Sequence, residues 1–306
     1  IFDTALLMIL RIGTRGSKLA LVQSEWVKRE VLARHPDVRV ELVRIKTKGD
    51  KILDAPLSKV GGKGLFVKEI EEALLRKDVD LAVHSMKDVP AELEQGLQLS
   101  VYPKREDPRD AFVSRRFRSV KELPQGASVG TSSLRRSAQL LHLRPDLQIV
   151  PLRGNVDTRL KKLDSGDLHG IVLAAAGLNR LGLSERITAL LPPDSVLPAI
   201  GQGVLGLEVR EDDQPTKDLV SFLNDPETEL AARVERAFLK ELEGGCQVPL
   251  AGYARVERDR ILMDGLVAEL DGSVILRQQR SGARENPEEL GVALARQLKA
   301  AGADRI

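Results

Sequence analysis

Cysteine is almost absent from this chain, which has one, Cys246, among 306 residues. A single thiol cannot form a disulfide within the chain, so nothing indicates an oxidising compartment. Aromatic residues make up only 3% of the sequence, which leaves little surface for stacking on bases. Basic and acidic residues nearly balance, 47 against 45, and this argues against a nucleic-acid-binding surface.

Long apolar runs are also missing. No stretch approaches the ~20 residues of a membrane span, so we expect no membrane association. The apolar run at residues 5–10 has neither a basic leader nor a small-residue cleavage site, and we therefore expect no signal peptide. The chain is expected to be cytoplasmic.

The single cysteine lies in the glycine-rich stretch GGCQVP, residues 244–249. The glycines keep side-chain bulk away from the sulfur, and the proline stiffens the exit from the loop. Such a loop would suit the covalent attachment of a bulky group. The commoner alternative is that a free cysteine is a small buried hydrophobe, and the stretch alone does not exclude it.

Short apolar runs alternate with helical patterns over residues 9–101 and again over residues 111–175. This alternation predicts parallel or mixed sheets covered by helices on both faces. The last third differs: a helix over about 226–242, three strand-like runs and a closing helix after Pro287 predict a small α+β domain.

The two alternating halves share a short repeat. IGTRGS (12–17) and VGTSS (129–133) each end a predicted strand and begin a helix, and basic residues follow both. Helix N-termini attract anions, and open α/β sheets bind ligands at the ends of their strands. We therefore expect matching anion-binding helix starts in the two halves.

Six arginines lie at or near predicted strand-to-helix junctions. A guanidinium pairs bidentately with a carboxylate, so the set would suit a ligand with many carboxylates. Any one of them could equally be solvated surface, but the near-balanced charge makes that less convincing for the whole set. The six are Arg15, Arg135, Arg136, Arg153, Arg159 and Arg180.

A second candidate site follows the predicted strand at residues 80–83. Asp88 could act as a general acid or base, or as the counter-charge to a cationic intermediate. Alternatively, Ser85 or Asp88 only caps the following turn. His84 has no His or Cys at ligand spacing, so we expect it to be structural and expect no metal site.

Seven motifs, in chain order, resemble the hydroxymethylbilane synthase family, also called the porphobilinogen deaminase family. The joint match runs from about residue 10 to the C-terminus and is specific, although no single motif is. KVGGKGLF lacks the spacing of a nucleotide-binding phosphate loop and is interpreted as a basic loop beside a cleft. The motifs are GTRGSKLA (13–20), KVGGKGLF (59–66), VHSMKDVP (83–90), GTSSLRR (130–136), RGNVDTR (153–159), GQG (201–203) and GGCQVP (244–249).

The resemblance implies that Cys246 carries a dipyrromethane cofactor through a thioether. The enzyme would add four porphobilinogen molecules head to tail, release ammonia each time, and free the linear tetrapyrrole with water. Each pyrrole unit carries an acetate and a propionate, which the arginines would bind. Loss of ammonia leaves a cationic methylene-pyrrole, which the resemblance assigns to Asp88 for electrostatic stabilisation.

Further site residues are implied position by position. Contacts on the cofactor side are Ser85, Lys87, Asp88, Thr131, Ser133, Arg135 and Arg136. Contacts for the incoming substrate or growing chain are Arg15, Ser17, Lys59, Phe66, Arg153, Arg159, Arg180 and Gln202. The expected ligand is the small molecule porphobilinogen, with no obligate protein partner, and the family suggests a monomer.

The resemblance also implies an α/β fold of two periplasmic-binding-protein-like lobes with mixed sheets and a small C-terminal α+β domain bearing the cysteine loop. The implied boundaries are 8–103 with 203–221 for the first lobe, 109–197 for the second, 225–306 for the third domain, and hinges at 104–108 and 198–202. The main competing hypothesis is a non-enzymatic two-lobed protein that binds anions or amino acids, since that fold is shared. Such proteins usually carry an export signal and have no use for a lone cysteine on a glycine loop.

Overall fold

The computed structural model of the chain describes residues 8–51, 67–242 and 248–306. The predicted site residues Lys59, Phe66 and Cys246 lie outside these ranges. Packing divides the described residues into two units: the first lies within 1–104 and 205–229, and the second within 105–204 and 230–306. No helix within the described ranges is both long and apolar enough to cross a membrane.

The secondary structure alternates over most of the chain, as predicted. The strands are β1 (Ile9–Arg15), β2 (Arg39–Ile45), β3 (Leu81–Ser85), β4 (Leu97–Val101), β5 (Asp110–Val113), β6 (Ser128–Gly130), β7 (Gln148–Val150), β8 (Gly170–Ala174), β9 (Ala189–Leu191), β10 (Leu205–Arg210), β11 (Leu250–Glu257), β12 (Arg260–Ala268) and β13 (Ile275–Ala283). The α-helices are α1 (Lys18–Arg34), α2 (Lys48–Lys51), α3 (Lys68–Leu75), α4 (Leu134–Leu143), α5 (Val156–Asp164), α6 (Ala175–Arg180), α7 (Gln214–Val220), α8 (Pro226–Leu242) and α9 (Pro287–Ala300).

Short 3₁₀ turns complete these elements. One of them follows β3 directly and carries a predicted site. The turns are Met86–Asp88, Val120–Glu122, Ser184–Arg186, Ser221–Leu223 and Ala303–Arg305.

The first unit is built on a five-stranded sheet of order β2–β1–β3–β10–β4. Strand β1 runs parallel to β2 and β3, whereas β10 is antiparallel to both of its neighbours. All five strands of the second sheet lie between β4 and β10 in the chain. Strand β10 thus returns to the first sheet after the second sheet is complete in sequence.

The second unit contains a five-stranded sheet of order β7–β6–β8–β5–β9 with the same pattern. Its strands β7, β6 and β8 are parallel, and β5 is antiparallel to β8 and β9. Strand β6 thus corresponds to β1, and β5 corresponds to β10. The two copies of the sequence repeat lie at the ends of β1 and β6, so they occupy equivalent places in two equivalent sheets.

Both faces of the first sheet are covered. On one face, Val27 and Val31 of α1 pack with Leu10 and Leu81. On the other, α3 packs Ile70 and Leu74 together with Ala82 and Leu97. Burial of each aliphatic side chain stabilises the fold by roughly 1.5–3 kcal/mol, which explains why these strands have apolar residues in consecutive positions.

The C-terminal part of the second unit has helix α8, an antiparallel sheet of order β11–β12–β13, and helix α9. Phe238 of α8 is fully buried at its centre together with Val234, Met263 and Leu294. The predicted fold class, two α/β lobes with mixed sheets and a small C-terminal α+β domain, is confirmed.

Five short elements were not predicted, namely α2, β4, β9, α6 and α7. Three-residue β9 is too short to show a period, and α6 follows β8 without any separating turn. The start of helix α7 could have been predicted from the sequence, because an aspartate caps it and a proline follows in its first turn. In the structure the Asp213 side chain accepts from the Thr216 N–H at 3.2 Å. Strand β3 extends to Ser85 because His84 and Ser85 remain in the ladder with β10.

We predict that Gly291→Ala destabilises the C-terminal domain. A Cβ at Gly291 in α9 would collide with the backbone carbonyl oxygen of Val234 in α8. We expect a loss of about 1–3 kcal/mol in the free energy of unfolding, measured by urea denaturation, although alanine is intrinsically the better helix former. The control is Glu289→Ala on the exposed side of the same helix, expected within about 0.5 kcal/mol of the parent. Equal effects of the two changes would contradict this packing argument.

Candidate functional site

A small cleft, open to solvent, lies at the carboxyl ends of β1 and β3 in the first unit. Its lining includes Arg15, Ser17, Gln23, Ser85 and Asp88. Parallel neighbouring strands end at one edge of a sheet, which brings two separate predicted motifs together. The first unit therefore collects the predicted substrate residues and the predicted acid in one place.

The start of α1 forms one wall of this cleft. Ser17 is its N-cap, and the Ser17 Oγ accepts from the Ala20 N–H at 3.3 Å. Arg15, the last residue of β1, is half-buried beside it. A cationic side chain next to the positive end of a helix makes this corner attractive to a carboxylate.

The end of β3 forms the opposite wall. The Ser85 hydroxyl lies 3.1 Å from Nε2 of Gln23, and Ser85 makes no side-chain cap to the following turn. In that turn Met86 is buried, whereas Lys87 and Asp88 are exposed. Within the described ranges, the Asp88 carboxylate has no hydrogen bond or ion pair. The capping alternative is thus unsupported at both residues.

The second unit has an equivalent helix start after β6. Thr131 is buried, and its Oγ1 accepts from the Ser133 N–H at 3.2 Å. Ser133 is the N-cap of α4, and its Oγ accepts from the Arg136 N–H at 3.4 Å. Both hydroxyl residues therefore shape the beginning of α4, as Ser17 does for α1.

A buried ion cluster lies directly behind this helix start. Asp110, the first residue of β5, has no exposed surface, and Arg135 and Arg136 are each only 6% exposed. One oxygen of Asp110 accepts from Nη1 of Arg135 at 2.7 Å, and the other accepts from Nε of Arg136 at 2.8 Å. One carboxylate therefore holds two guanidinium groups, and this trio carries a net positive charge.

The pKa values reflect this arrangement. Burial alone would raise the pKa of Asp110, but the charges and hydrogen bonds of Arg135 and Arg136 outweigh it and hold the pKa well below its ordinary value. Burial also lowers the pKa of Arg136. Asp110 stays ionised at neutral pH, and sequence reasoning missed it. The available signal was an acid at the start of the apolar run 110–113, which marks a buried charge but not its partners.

The remaining predicted residues of the second unit lie near segment 202–203 or on α5. Gln202 is buried, and its Nε2 donates to the Pro108 carbonyl at 2.7 Å and to Asp110 at 3.0 Å. Nη2 of Arg180 donates to the Gly203 carbonyl at 2.7 Å, and burial lowers the pKa of Arg180 to about 10. Arg180 is the last residue of the short helix α6, which follows β8 directly.

Arg153 and Arg159 lie apart from that group, at and before the beginning of α5. Both are half-buried, and Nε of Arg159 donates to the Gly154 carbonyl at 2.8 Å. The structure thus brings Arg135, Arg136 and Gln202 together around Asp110 and leaves Arg153 and Arg159 on a neighbouring loop and helix. Among the described residues, no three His, Cys, Asp or Glu side chains come together as possible metal ligands.

The fold and these side chains define a class: an α/β protein with arginines near the strand ends of two equivalent sheets and an exposed carboxylate in the cleft of the first. The chain belongs to the porphobilinogen deaminase family. Residues 10–218 match the family model described as porphobilinogen deaminase, dipyromethane cofactor binding domain. Residues 229–300 match the model of the porphobilinogen deaminase C-terminal domain.

Curated relatives agree over nearly the full length. The porphobilinogen deaminase of Syntrophotalea carbinolica is 60% identical over 97% of this chain and 94% of its own. That of Geobacter metallireducens is 56% identical over 97% of this chain and 93% of its own. The family models and these relatives confirm the predicted family, the transferase class and the dipyrromethane cofactor.

Two solved structures match this chain at low identity. A nutrient-binding protein from Burkholderia cenocepacia bound to methionine is 17% identical, with a TM-score of 0.42 over 69% of this chain and 90% of its own. A periplasmic substrate-binding protein of an ABC transporter from Coxiella burnetii is 18% identical, with a TM-score of 0.45 over 74% and 96%.

We predict that Asp110→Asn is strongly destabilising, because it leaves two buried guanidinium groups without a counter-charge. The expected loss is about 3–5 kcal/mol in the free energy of unfolding, measured by urea denaturation at neutral pH. Since the pKa of Asp110 is lowered in the folded chain, its contribution is present above the ordinary value of 3.8 and disappears as the pH falls towards the lowered one.

The matched control is Asp107→Asn. Among the residues that the structure describes, the Asp107 side chain forms its ion pair with Arg109, and the Arg109 side chain is 40% exposed. We expect a loss of about 1 kcal/mol or less for this variant. A similar loss in both variants would show that the buried cluster contributes no more to the free energy of unfolding than a partly exposed ion pair does.

Proposed function

We propose that the chain catalyses the reaction of its family: stepwise condensation of four porphobilinogen molecules onto a dipyrromethane primer linked to Cys246, with release of ammonia and final hydrolysis to hydroxymethylbilane. The observation that carries this proposal is the cleft in which the exposed carboxylate of Asp88 lies with Arg15 and Ser17. The chemistry needs an anion at the reacting centre and cations for the substrate carboxylates. This cleft has both.

The residues of the second unit fit the cofactor by their chemistry. The trio of Asp110, Arg135 and Arg136 keeps a net positive charge, which favours a ligand with carboxylates. The cofactor, when bound, supplies the pyrrole carbon to which the substrate units are added. The residues proposed to hold it are Ser85, Lys87, Asp88, Thr131, Ser133, Arg135 and Arg136, with Cys246 as the point of attachment.

Asp88 is proposed as the catalytic residue. Its exposed carboxylate is free to accept a hydrogen bond from a pyrrole N–H and to stabilise the positive charge that develops as ammonia leaves. It can also hold or transfer the proton that the leaving amine requires. Ser85, held by Gln23, presents a hydroxyl to the same cleft.

The other cations are proposed to bind the acetate and propionate groups of the substrate and growing chain. Arg15 and Ser17 do so beside the start of α1. Arg180 remains cationic at neutral pH, since its lowered pKa is still about 10. The same role is assigned to Arg153, Arg159 and Gln202, and to Lys59 and Phe66, for which the resemblance is the only support.

We further propose three domains with the boundaries predicted from the resemblance, and a monomer that works in the cytoplasm without an obligate protein partner. The anchoring of the predicted hinges supports this division. Nη1 of Arg105 lies 2.6 Å from Oε1 of Glu235 in α8, and Nε of Arg105 donates to the Gln202 carbonyl at 2.9 Å. Two chain segments outside the sheets are thus tied to one helix of the C-terminal domain.

The cofactor claim predicts a mass. After incubation with porphobilinogen, intact-mass spectrometry should show the protein heavier than its sequence by two linked pyrrole units, and Cys246→Ser should lack this increment. The cysteine is the only one in the chain, so no other thiol can form the thioether. An unmodified mass in turnover-competent protein would contradict the proposal and favour the non-enzymatic binding protein.

The role of Asp88 predicts a selective loss of activity. Asp88→Ala should lower kcat for porphobilinogen by about 100-fold or more, because no other acid lines the cleft among the described residues. The side chain is exposed, so the free energy of unfolding should change by no more than about 0.5 kcal/mol. The control is Glu92→Ala, an exposed acid nearby with no assigned role. Near-normal turnover of Asp88→Ala would remove Asp88 from catalysis.

A further inference from the structure

His84 precedes the reactive turn and is bonded to an acid on the neighbouring strand. Nε2 of His84 lies 2.8 Å from Oε2 of Glu208 in β10, and the two side chains are 5% and 0% exposed. In the antiparallel ladder His84 pairs with Gly206, and Ala82 pairs with Glu208. Residues two apart in a strand share a face, so both side chains lie on the face that α3 covers.

The side chain of Met86, the first residue of the turn, packs against Gly206 of β10. Gly206 has no side chain, and a Cβ there would collide with Sδ of Met86. Ser85, between His84 and Met86, is held from α1 through Gln23. Three consecutive residues are therefore fixed by neighbouring elements just before Lys87 and Asp88 emerge into solvent.

A second acid, Glu71 of α3, is buried against the same face at 4% exposure. Burial and then the negative charge of Glu208 raise the pKa of Glu71 to about 7. The charged groups that face it are Glu208, Glu94 and His84; His84 and the Glu94 N–H, 3.5 Å from Oε1 of Glu71, act in the opposite direction. Within the described residues, Oε1 of Glu208 is buried without a hydrogen-bond partner. Burial near a second acid therefore favours the protonated form of Glu71.

We propose that His84, Glu208 and Glu71 are positioning residues, a buried cluster that fixes the end of β3 and thereby aims Asp88 into the cleft. The inference rests on the proposed role of Asp88. His84 also lines the cleft, but the role proposed for it is to hold the strand end through Glu208. When Glu71 loses its proton, a second negative charge is buried near that of Glu208, and their repulsion loosens the strand end on which the turn depends.

The first test needs no activity. The folded pKa of Glu71 is raised above its ordinary 4.5, so ionisation of Glu71 costs stability as the pH rises from 4.5 to about 7. Glu71→Gln keeps the shape and removes this loss. We expect its Tm to exceed that of the parent at about pH 8 and to match it at about pH 5. Glu72→Gln, at an exposed position of the same helix, is the control and should show no such difference. Identical pH dependence in Glu71→Gln and the parent would overturn the proposal.

The second test measures positioning. Glu208→Gln should lower kcat for porphobilinogen by about 10- to 100-fold while KM changes by less than about twofold and the cofactor mass is retained. Glu71→Gln should keep its kcat on the alkaline side, where that of the parent falls. Parent-like kcat and pH profile in Glu208→Gln, alongside an inactive Asp88→Ala, would overturn the cluster and leave the proposed function intact. If Asp88→Ala is also active, the result contradicts the proposed role of Asp88, and with it the inference that rests on that role. If Glu208→Gln does not fold, the two readouts of Glu71→Gln decide.

Discussion

A carboxylate without access to water, Asp110, fixes the second unit. Desolvating an acid is costly, and Asp110 remains ionised only because two guanidinium groups and the Gln202 amide surround it. These partners come from α4 and from segment 202, so one side chain ties the antiparallel strand β5, a helix and a chain crossing together. One carboxylate and two guanidinium groups have a net charge of one positive unit. A ligand with many carboxylates requires such a positive charge.

The first unit uses a related solution. Its antiparallel strand, β10, also carries a fully buried acid, Glu208, but the partner is a histidine and not an arginine pair. One histidine brings at most one positive charge to this carboxylate, whereas the two arginines around Asp110 leave one positive charge uncompensated. The second lobe thus has a buried excess of positive charge, and the first has a buried histidine–carboxylate pair next to the proposed catalytic acid.

Much of this was predictable from sequence, since alternating apolar runs give strands and helices that meet at known edges. Helix α4 lies within the alternating region predicted over residues 111–175, and the Ser133 side chain caps its first turn. The joining of β10 to the first sheet was implied by the resemblance alone, because a pairing between distant segments leaves no local signal. The partners of Arg135 and Arg136 were missed for a similar reason: the sequence marks both guanidinium groups as anion-binding but does not reveal that Asp110 occupies them.

The place of β10 in the first sheet has a consequence for synthesis of the chain. Strand β4 pairs with β10 and with no other strand in the described sheet. While residues 205–210 are still in the ribosome, β4 has no hydrogen-bonding neighbour and His84 has no Glu208. The second α/β lobe can therefore assemble its sheet before the first is complete, and the strand leading to Asp88 is among the last parts of the first lobe to acquire its native environment.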